Sequence, residues 1–485
     1  MFHKTRPALC AAALCFAGAT HAATQLIAIG TLDGHFEDRS AATAAPLENG
    51  IAGNRLGGMG SGLAYAGGTT FLALPDRGPN ANAYNPLVDD TVSYIARFHT
   101  LDLRLSPSDP GAALPFALTP TMLDTTLLSS PTPLIYGSGA GLGYQRDGVT
   151  PLGSGVPALN ALDHTNYFTG RSDNFDPALP STDPRQARLD PEGIRVSNNG
   201  DFVFVSDEYG PFLYQFNRVT GQRVKAFRLP DNLAIAHLSP QKDVEIASNS
   251  VGRVTNKGME GLAITPSGRL LVGIIQANLE QDKKKSLRIV TVDTLTGTAH
   301  EYAYKLSDGS GVSEILAVNE HQFLVDERDG NGFADTPALT DTASAAKIKK
   351  LYLIDLAGAV DVGGVSGDLS SYAVAKTEFL DIVAALTARG IDARYIPSKI
   401  EGVTFGPDVE IDGVLQHTLY IANDNDFLAD VADPTKPPTD STRGLVPNPN
   451  RFYVFAFGDA DLPGYVPQPV REPSGLPGCE LRRDL

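Results

Sequence analysis

The feature that most constrains the fold of this chain is a short cassette that recurs along it. Each copy has a Gly or an acid-Gly pair, an apolar step, a turn, and then a β-rich run that ends in acidic residues. Three clear copies and two weaker ones are visible, at 189–208, 258–276 and 399–426, and at 60–77 and 311–328. Recurrence of this kind is typical of repeat architectures, in which each unit buries its apolar surface against its neighbours.

Each cassette predicts a hairpin of two antiparallel strands. The second strand is apolar at consecutive positions, which indicates that both of its faces are covered. Further β-rich runs at 211–216, 287–292 and 350–355 would extend the hairpins to sheets of four strands, and the last run, 451–457, could close a ring. We therefore predict an all-β protein, a β-propeller of six blades with four antiparallel strands each.

Two segments depart from the repeat. Residues 101–191 show little periodicity and many Pro, Gly and Asp residues, so we assign them to a sixth, irregular blade with long loops. Residues 375–389 have an apolar spacing near that of a helix and are followed by Gly390, which predicts a helix inserted between strands.

The first residues have the pattern of a secretory signal peptide. Lys4 and Arg6 precede an Ala-rich apolar run, and Thr20-His21-Ala22 provides a small-residue cleavage site. We therefore expect residues 1–22 to be removed and the mature protein to be periplasmic or secreted.

No linker divides the remaining residues, so we predict a single domain at 23–465 and a tail at 466–485. Cys479 would be the one cysteine of the mature chain, which excludes an intramolecular disulfide, and we expect a monomer.

The formal charge of −17 bears on the partners of the protein. A field of this sign repels nucleic acid and anionic membranes, and it suits cation binding. No stretch after residue 22 is long and apolar enough to span a bilayer. We therefore expect neither a nucleic-acid partner nor a membrane span.

Three glutamates occupy the same position of the cassette, Glu192, Glu260 and Glu401, and Gly follows each of them. The innermost strands of a propeller line its channel, so equivalent positions should meet around one axis. Carboxylates that share a poorly solvated volume repel one another unless a cation neutralises them. Many oxygens in a loose shell suit calcium better than magnesium, so we expect a divalent cation, calcium first. The alternative is that each Glu only stabilises the turn beside its Gly.

Further acidic and amide side chains stand where the second strand of each hairpin ends, and loops at such ends usually build sites. We predict that the metal ligands are Asp76, Asp207, Glu208, Asp326, Glu327, Asn423 and Asp424. Asp426 is a further acid at the same strand end as Asp424. Residues 327–332 also match the start of a calcium loop, although no Glu stands at its twelfth position. A solvated acidic turn is the alternative for that segment.

Cationic side chains are scarcer at these strand ends. Arg77 and Arg328 each lie close behind an acid, and a guanidinium there could bind the phosphate or carboxylate of a substrate with two hydrogen bonds. The alternative is that each arginine pairs only with a neighbouring aspartate. His164, Lys257 and Lys399 are further candidates.

Several other chemistries are disfavoured because their motifs are absent from the sequence. It contains no G-x-S-x-G, no G-x-x-x-x-G-K-[ST], no H-E-x-x-H and no C-x-x-C. Nucleophile-elbow, P-loop, zincin and dithiol mechanisms are therefore poor explanations for the strand-end acids.

The segments 189–194, 205–211, 259–262 and 399–403 resemble a family of secreted bacterial proteins, the phytase-like family described as "esterase-like activity of phytase". The resemblance covers roughly residues 56–457. It implies a propeller and a hydrolase that acts on phosphate or carboxylic esters. The chain is also distantly similar to calcium-dependent propeller lactonases, to which Glu401-Gly402 and Asn423-Asp424 would correspond.

The leading hypothesis is an exported hydrolase of small phosphoester molecules that depends on a divalent cation. Glu192, Glu260 and Glu401 would be catalytic, and Arg77 and Arg328 would bind the substrate. One alternative is a calcium-dependent carboxylic esterase or lactonase that uses the same site. A second alternative is a binding propeller without catalysis, in which the calcium is structural.

Overall fold

Five antiparallel sheets of four strands each surround a common axis in the computed structural model, which describes residues 24–80, 85–145, 147–307 and 309–473. Each sheet is one blade, and the innermost strands of successive blades contact one another in cyclic order. The prediction of an all-β propeller with antiparallel four-stranded blades is confirmed. The predicted signal peptide and Cys479 lie outside the described residues.

The strands follow the chain around the ring. The N-terminal strand β1 (Gln25–Leu32) belongs to the last blade. Blade 1 contains β2 (Gly62–Tyr65), β3 (Thr70–Leu74), β4 (Arg97–Pro107) and β5 (Phe116–Leu127). A small separate pair follows, β6 (Ser129–Ser130) and β7 (Asn166–Tyr167). Blade 2 contains β8 (Pro191–Val196), β9 (Phe202–Asp207), β10 (Phe212–Asn217) and β11 (Arg223–Phe227).

Blade 3 contains β12 (Met259–Ile264), β13 (Leu270–Ile275), β14 (Ser286–Asp293) and β15 (Ala299–Lys305). Blade 4 contains β16 (Gly311–Ala317), β17 (Gln322–Arg328), β18 (Lys349–Asp355) and β19 (Lys376–Asp381). The remaining strands are β20 (Ile400–Ile411), β21 (Val414–Asn423), the pair β22 (Asp430–Ala432) and β23 (Leu445–Pro447), and β24 (Asn450–Phe457).

Helices are short. The described residues form α1 (Ala158–Asp163), α2 (Lys242–Ser248) and α3 (Ile382–Ala388). Single 3₁₀ turns lie at Ala41–Thr43, Pro86–Val88, Asp231–Leu233 and Ala393–Tyr395. No helix in this part of the chain combines the length and the apolar character that crossing a bilayer requires.

The two ends of the chain close the ring together. Blade 5 has the strand order β1-β24-β21-β20, so its outermost strand comes from the N-terminus and its other three strands come from the C-terminal part. The registers run from Gln25 opposite Ala456 to Leu32 opposite Asn450. The run 451–457 does take part in closure, as the sequence indicates, but β1 completes the blade.

The number of blades is five, so the predicted sixth blade is wrong. Part of the segment assigned to it, residues 101–127, forms the long hairpin β4–β5 of blade 1. The rest connects blades 1 and 2 and contributes β6, β7 and α1, because turn-forming residues interrupt it too often for a four-stranded sheet. The five cassette copies correspond one to one with the five blades.

The predicted helix at 375–389 is wrong in its first half. Residues 376–381 form β19, the outer strand of blade 4, which pairs with β18. The helix begins only at Ile382, where the side chain of Asp381 accepts a hydrogen bond from the backbone N–H of Ala384. Sheet pairing therefore overrides the local helical spacing.

Each inner strand packs directly against the inner strand of the next blade, which explains the Gly that follows each repeated Glu. A Cβ on Gly193 would lie 2.7 Å from Cβ of Leu262, and one on Gly261 would lie 2.6 Å from the backbone N of Ile315. A Cβ on Gly402 would lie 2.9 Å from the carbonyl oxygen of Gly60. The glycines therefore let the inner strands approach closely near the axis.

The last described residues cross the end of the channel that lies opposite to the starts of the inner strands. The backbone N–H of Val466 donates to the carbonyl of Val318 at 2.9 Å, and Nε2 of Gln468 donates to the carbonyl of Val196 at 2.8 Å. Tyr465 packs against Phe405 and Phe457. The domain boundary at 465 stays a prediction, but residues 466–473 lie against the propeller.

Candidate functional site

The three repeated glutamates lie at one end of the channel, where the inner strands begin. Glu192, Glu260 and Glu401 are the second residues of β8, β12 and β20, and each lies in the register shift that opens its hairpin. The same register assigns the equivalent position of blade 4 to Ser313. Because the hairpins share one register, equivalent residues come to the same height around the axis.

A second set of side chains comes from the opposite strand of each hairpin, just where that strand ends. Counted from the same register, the equivalent residues are Asp76, Glu208, Gln276, Arg328 and Asp424. Nε2 of Gln276 donates to Oε1 of Glu260 at 2.7 Å. Nη2 of Arg328 donates to Oε1 of Glu401 at 2.5 Å and lies 3.7 Å from Oε1 of Glu260.

The first acidic group consists of Asp190, Glu192 and Glu208, which offer oxygens within 4.8 Å of one another. All three are buried. Asp190 is held by Arg77, whose backbone N and Nη1 donate to its two carboxylate oxygens at 3.1 and 2.9 Å. Arg77 also donates to the side chain of Asn256.

The second acidic group consists of Asp76, Asp424 and Asp426, whose oxygens also lie within 4.8 Å of one another. Here a lysine supplies the counter-charge. Nζ of Lys399 lies 2.7 Å from Oδ2 of Asp424 and 2.5 Å from Oδ1 of Asp426. We call the two acidic groups together with Glu260, Glu401, Arg77, Arg328 and Lys399 the acidic mouth; all five blades contribute to it.

Burial and mutual repulsion shift the titration of these groups. Burial raises the pKa of Glu192 and of Glu208 well above the ordinary value, and the charge of Glu260 raises both further. Burial likewise raises the pKa of Glu260 and of Glu401 to about 7, against the opposing charge of Arg328. Carboxyl groups so arranged favour either a bound proton or a bound cation.

The acidic mouth fits a hard divalent cation. Within the part of the chain that the structure describes, no hydrogen-bond donor reaches Oε1 of Glu208 or Oε2 of Glu260, although both atoms are buried. The charge of Glu260 raises the pKa of Glu208, so the two carboxyl groups repel each other when both are ionised, and a nearby cation would relieve that repulsion. Carboxylate oxygens are the ligands that calcium prefers, which makes this donor set chemically suitable.

Four of the residues predicted as metal ligands lie outside the two acidic groups. Asp207 accepts the backbone N–H groups of Asp190 and Gly210, both at 2.7 Å. Oδ1 of Asn423 accepts the backbone N–H of Arg451 at 2.6 Å. Both side chains therefore accept hydrogen bonds from the backbone of neighbouring segments and hold those segments against the strands.

The other two are neighbours in β17 and point to opposite faces of blade 4, as successive strand residues must. Asp326 accepts a hydrogen bond from Oγ of Ser313 at 3.2 Å. Glu327 accepts one from the hydroxyl of Tyr304 at 2.6 Å and pairs with Lys376. Neither carboxyl group is a member of the two acidic groups.

The segment that matches the start of a calcium loop already contains a cation from its own chain. Nζ of the buried Lys349 donates to Oδ1 and to the carbonyl oxygen of Asp329, at 2.6 and 2.8 Å, and to the carbonyl of Asn331 at 3.1 Å. An ammonium group therefore takes the central position among these oxygens.

Sequence reasoning missed Asp190 and underrated Lys399. Both stand two residues before a repeated glutamate, so their shared place in the cassette was a usable signal. His164, by contrast, is exposed at the end of α1.

An ion pair closes the channel beneath the acidic mouth. Nη2 of Arg195 lies 2.9 Å from Oε2 of Glu314, and the guanidinium donates to carbonyl groups of four inner strands. The acceptors are Leu63, Ile194, Ile315 and Val403. A cavity at the other end of the channel lies between Arg195 and the residues around Gln468, so it is separate from the acidic mouth.

The chain is similar to a known protein family and to a secreted fungal protein. The family model "Phytase-like: Esterase-like activity of phytase" matches residues 54–427. A protein of the fungus Arthroderma benhamiae, described as an uncharacterized secreted protein, is 29% identical over 333 residues, which are 58% of this chain and 60% of that protein. Because this relative is fungal, the description of the family as bacterial has no support.

Two solved structures share low identity with the chain. A candidate 6-phosphogluconolactonase from Bacteroides uniformis is 13% identical, with 80% of this chain and 86% of that chain covered and a TM-score of 0.27. Sqt1 from Saccharomyces cerevisiae is 8% identical, with coverages of 80% and 69% and a TM-score of 0.28. With scores this low, neither structure bears on the function of the chain.

Proposed function

The chain belongs to the phytase-like family, and on that premise we propose that it is a hydrolase of phosphoesters that depends on a divalent cation at the acidic mouth. The observation that carries the proposal is the convergence of buried carboxyl groups, two of which have an oxygen that no donor among the described residues reaches. Export is part of the proposal, because residues 1–22 have the signal pattern and the fungal relative is described as secreted.

The carboxylates that would hold the cation come from the first acidic group and Glu260. A bound calcium ion would reduce the negative charge at the mouth, polarise an ester oxygen of the substrate and make water a better nucleophile. Without such an ion, the surplus of carboxylates would repel an anionic phosphoester.

The side chains of the protein itself would bind and orient the substrate. Lys399 and Arg328 retain 29% and 15% of their side-chain exposure, so they lie where a ligand can approach. Glu401, with its pKa near 7, is suited to take up the proton that an attacking water loses. Arg328 would hold this carboxylate through the hydrogen bond to its Oε1.

One observation favours a second candidate, the hydrolysis of carboxylic esters or lactones. Arg77 is committed to Asp190 and Asn256, and Arg328 is committed to Glu401. Guanidinium groups engaged in this way have less capacity to bind a doubly charged phosphate. An uncharged ester would not need that capacity.

The test is a substrate panel with purified protein, in calcium and in EDTA. The panel contains phytate, p-nitrophenyl phosphate, p-nitrophenyl acetate and a γ-lactone. We expect phosphate release in calcium that EDTA abolishes, and a loss of at least about tenfold in Glu401→Gln. Glu378→Gln is the matched control. Glu378 lies on β19, the outer strand of blade 4, where it pairs with Lys350 of β18.

The outcomes separate the candidate functions. Cleavage of the carboxylic esters without release of phosphate would favour the second candidate and reject the first. Calcium binding without cleavage of any substrate would instead favour a propeller in which the ion is structural.

A further inference from the structure

The two acidic groups of the mouth differ in how their charge is compensated. In the second group, the ammonium of Lys399 lies within 2.7 Å of oxygens from two of the three aspartates, Asp424 and Asp426. The site therefore already holds a cation that the chain itself provides. A metal ion there would have to displace the lysine.

The first group has no such internal cation on two of its members. Asp190 is paired with Arg77, but among the described residues no lysine or arginine forms an ion pair with Glu192 or Glu208. Glu208 is 1% exposed, and none of the residues that the structure describes donates a hydrogen bond to its Oε1.

The neighbouring Glu260 also has a buried oxygen without a hydrogen-bond donor in the described part of the chain, although Arg328 lies 3.7 Å from its other oxygen. It is 3% exposed, and no donor from the described segments reaches its Oε2, while Gln276 and Arg328 both contact its Oε1. Glu260 and Glu208 are neighbours across the junction of blades 2 and 3, since Oγ of Ser206 donates to the carbonyl oxygen of Glu260 at 3.0 Å, and both free oxygens are buried. Leaving these oxygens unpaired costs free energy that a bound cation would recover.

We propose that the acidic mouth binds one calcium ion, on Glu192, Glu208 and Glu260 at the junction of blades 2 and 3, and that Lys399 replaces a second ion at Asp76, Asp424 and Asp426. The proposal rests on the cation dependence of the proposed function, but not on the substrate. Three carboxylates from different strands leave part of the coordination shell of calcium to water or substrate.

Calcium stoichiometry tests the assignment without any measurement of hydrolysis. We would titrate the purified full-length protein, stripped with EDTA, with calcium in a calorimeter, and follow the binding of terbium by its luminescence. The wild type should bind one ion. Glu208→Gln should weaken this site by at least about tenfold, because it removes one charged ligand.

Lys399→Met should create a second site, since it leaves Asp424 and Asp426, beside Asp76, without the ammonium group that pairs with them. The matched control is Lys350→Met, which removes a partly buried lysine of blade 4 that pairs with Glu378 and Asp381, away from the acidic mouth, and should leave the stoichiometry at one. Circular dichroism would establish that each variant is folded before the titration.

Three results would overturn the assignment: two ions in the wild type, one ion in Lys399→Met, or unchanged affinity in Glu208→Gln. If the wild type hydrolyses its substrate only with calcium, and Glu208→Gln binds calcium as tightly as the wild type, the ligand assignment is wrong and the proposed function stands. A protein that binds one ion as expected and cleaves no ester would overturn the proposed function alone.

Discussion

The ion pair that closes the channel should be a main determinant of stability, and Arg195→Met tests this. The guanidinium of Arg195 joins Glu314 and the carbonyl groups of four blades, and both side chains are buried, at 3% and 1% exposure. Met preserves much of the volume but leaves the carboxylate of Glu314 without its partner. Removal of one member of a buried ion pair costs about 3–5 kcal/mol, so we expect a loss of about 4 kcal/mol in the free energy of unfolding.

The loss of unfolding free energy in Arg195→Met should increase with pH. Burial raises the pKa of Glu314 to about 7, despite the opposing charge of Arg195. Arg195→Met removes that opposing charge, so the pKa of Glu314 rises further in the variant, and at pH 6 its carboxyl group takes up a proton and avoids an unpaired buried charge. The loss should therefore be smaller at pH 6 than at pH 8, and Glu314→Gln in the Arg195→Met background should recover part of it.

Urea unfolding followed by circular dichroism, in EDTA, measures these effects. Arg185→Met is the control, because Arg185 pairs with Asp183 at the surface and its loss should leave the midpoint unchanged within error. A loss below about 1 kcal/mol in Arg195→Met, or no gain from the second substitution, would refute the view that this pair ties the blades together.

Three further predictions follow from the same structure. Gly261→Ala should destabilise the protein by about 1–3 kcal/mol through a clash with Ile315, whereas Gly444→Ala, with no atom within 4 Å of its Cβ, should be near neutral in the same urea assay. Tyr465→Ala should cost about 2 kcal/mol, since its ring packs on Phe405 and Phe457; an unchanged melting temperature would mean that this segment does not hold the channel end. Burial raises the pKa of Asp326 from 3.8 to about 7, so the folded state binds more protons than the unfolded chain between those values, and its stability falls as pH rises through that window. Asp326→Asn should therefore lose less stability between pH 5 and pH 8 than the wild type, and identical profiles in thermal melts would contradict this.

Glutamate and glycine recur together in the repeat because each has a different role. Glycine at positions 193, 261 and 402 permits the close approach of neighbouring inner strands, and the glutamate before each glycine lies at the mouth of the channel. The repeat therefore serves packing and site formation at once. The alternative that each Glu merely stabilises its own turn does not account for Oε2 of Glu260, which is buried and lacks a donor among the described residues.

The arrangement also shows why strand-end acids differ in their environment. Asp207 and Glu208 are consecutive, yet the first fastens a loop through two backbone N–H groups and the second belongs to an acidic group. Asp326 and Glu327 likewise face different surroundings. Because strand side chains alternate between faces, a difference of one residue in register decides which acid reaches the axis.

The sequence by itself determined the class of fold and the end of the channel at which the acids collect. Five cassettes with turn residues between them specify hairpins, and the recurrence of Glu192, Glu260 and Glu401 in the same place specifies that they meet. Both conclusions depend on patterns within short segments, which can be recognised without knowing the contacts between distant parts of the chain.

Only the tertiary structure decided the number of blades, the closure by β1, and the pairing of charges at the mouth. The strands β1 and β24 lie at opposite ends of the chain, and Arg328 and Lys399 reach acids from other strands or loops. These contacts depend on how far each blade is rotated about the axis and on the register of every hairpin. Those quantities follow from packing between distant segments, which no local pattern encodes.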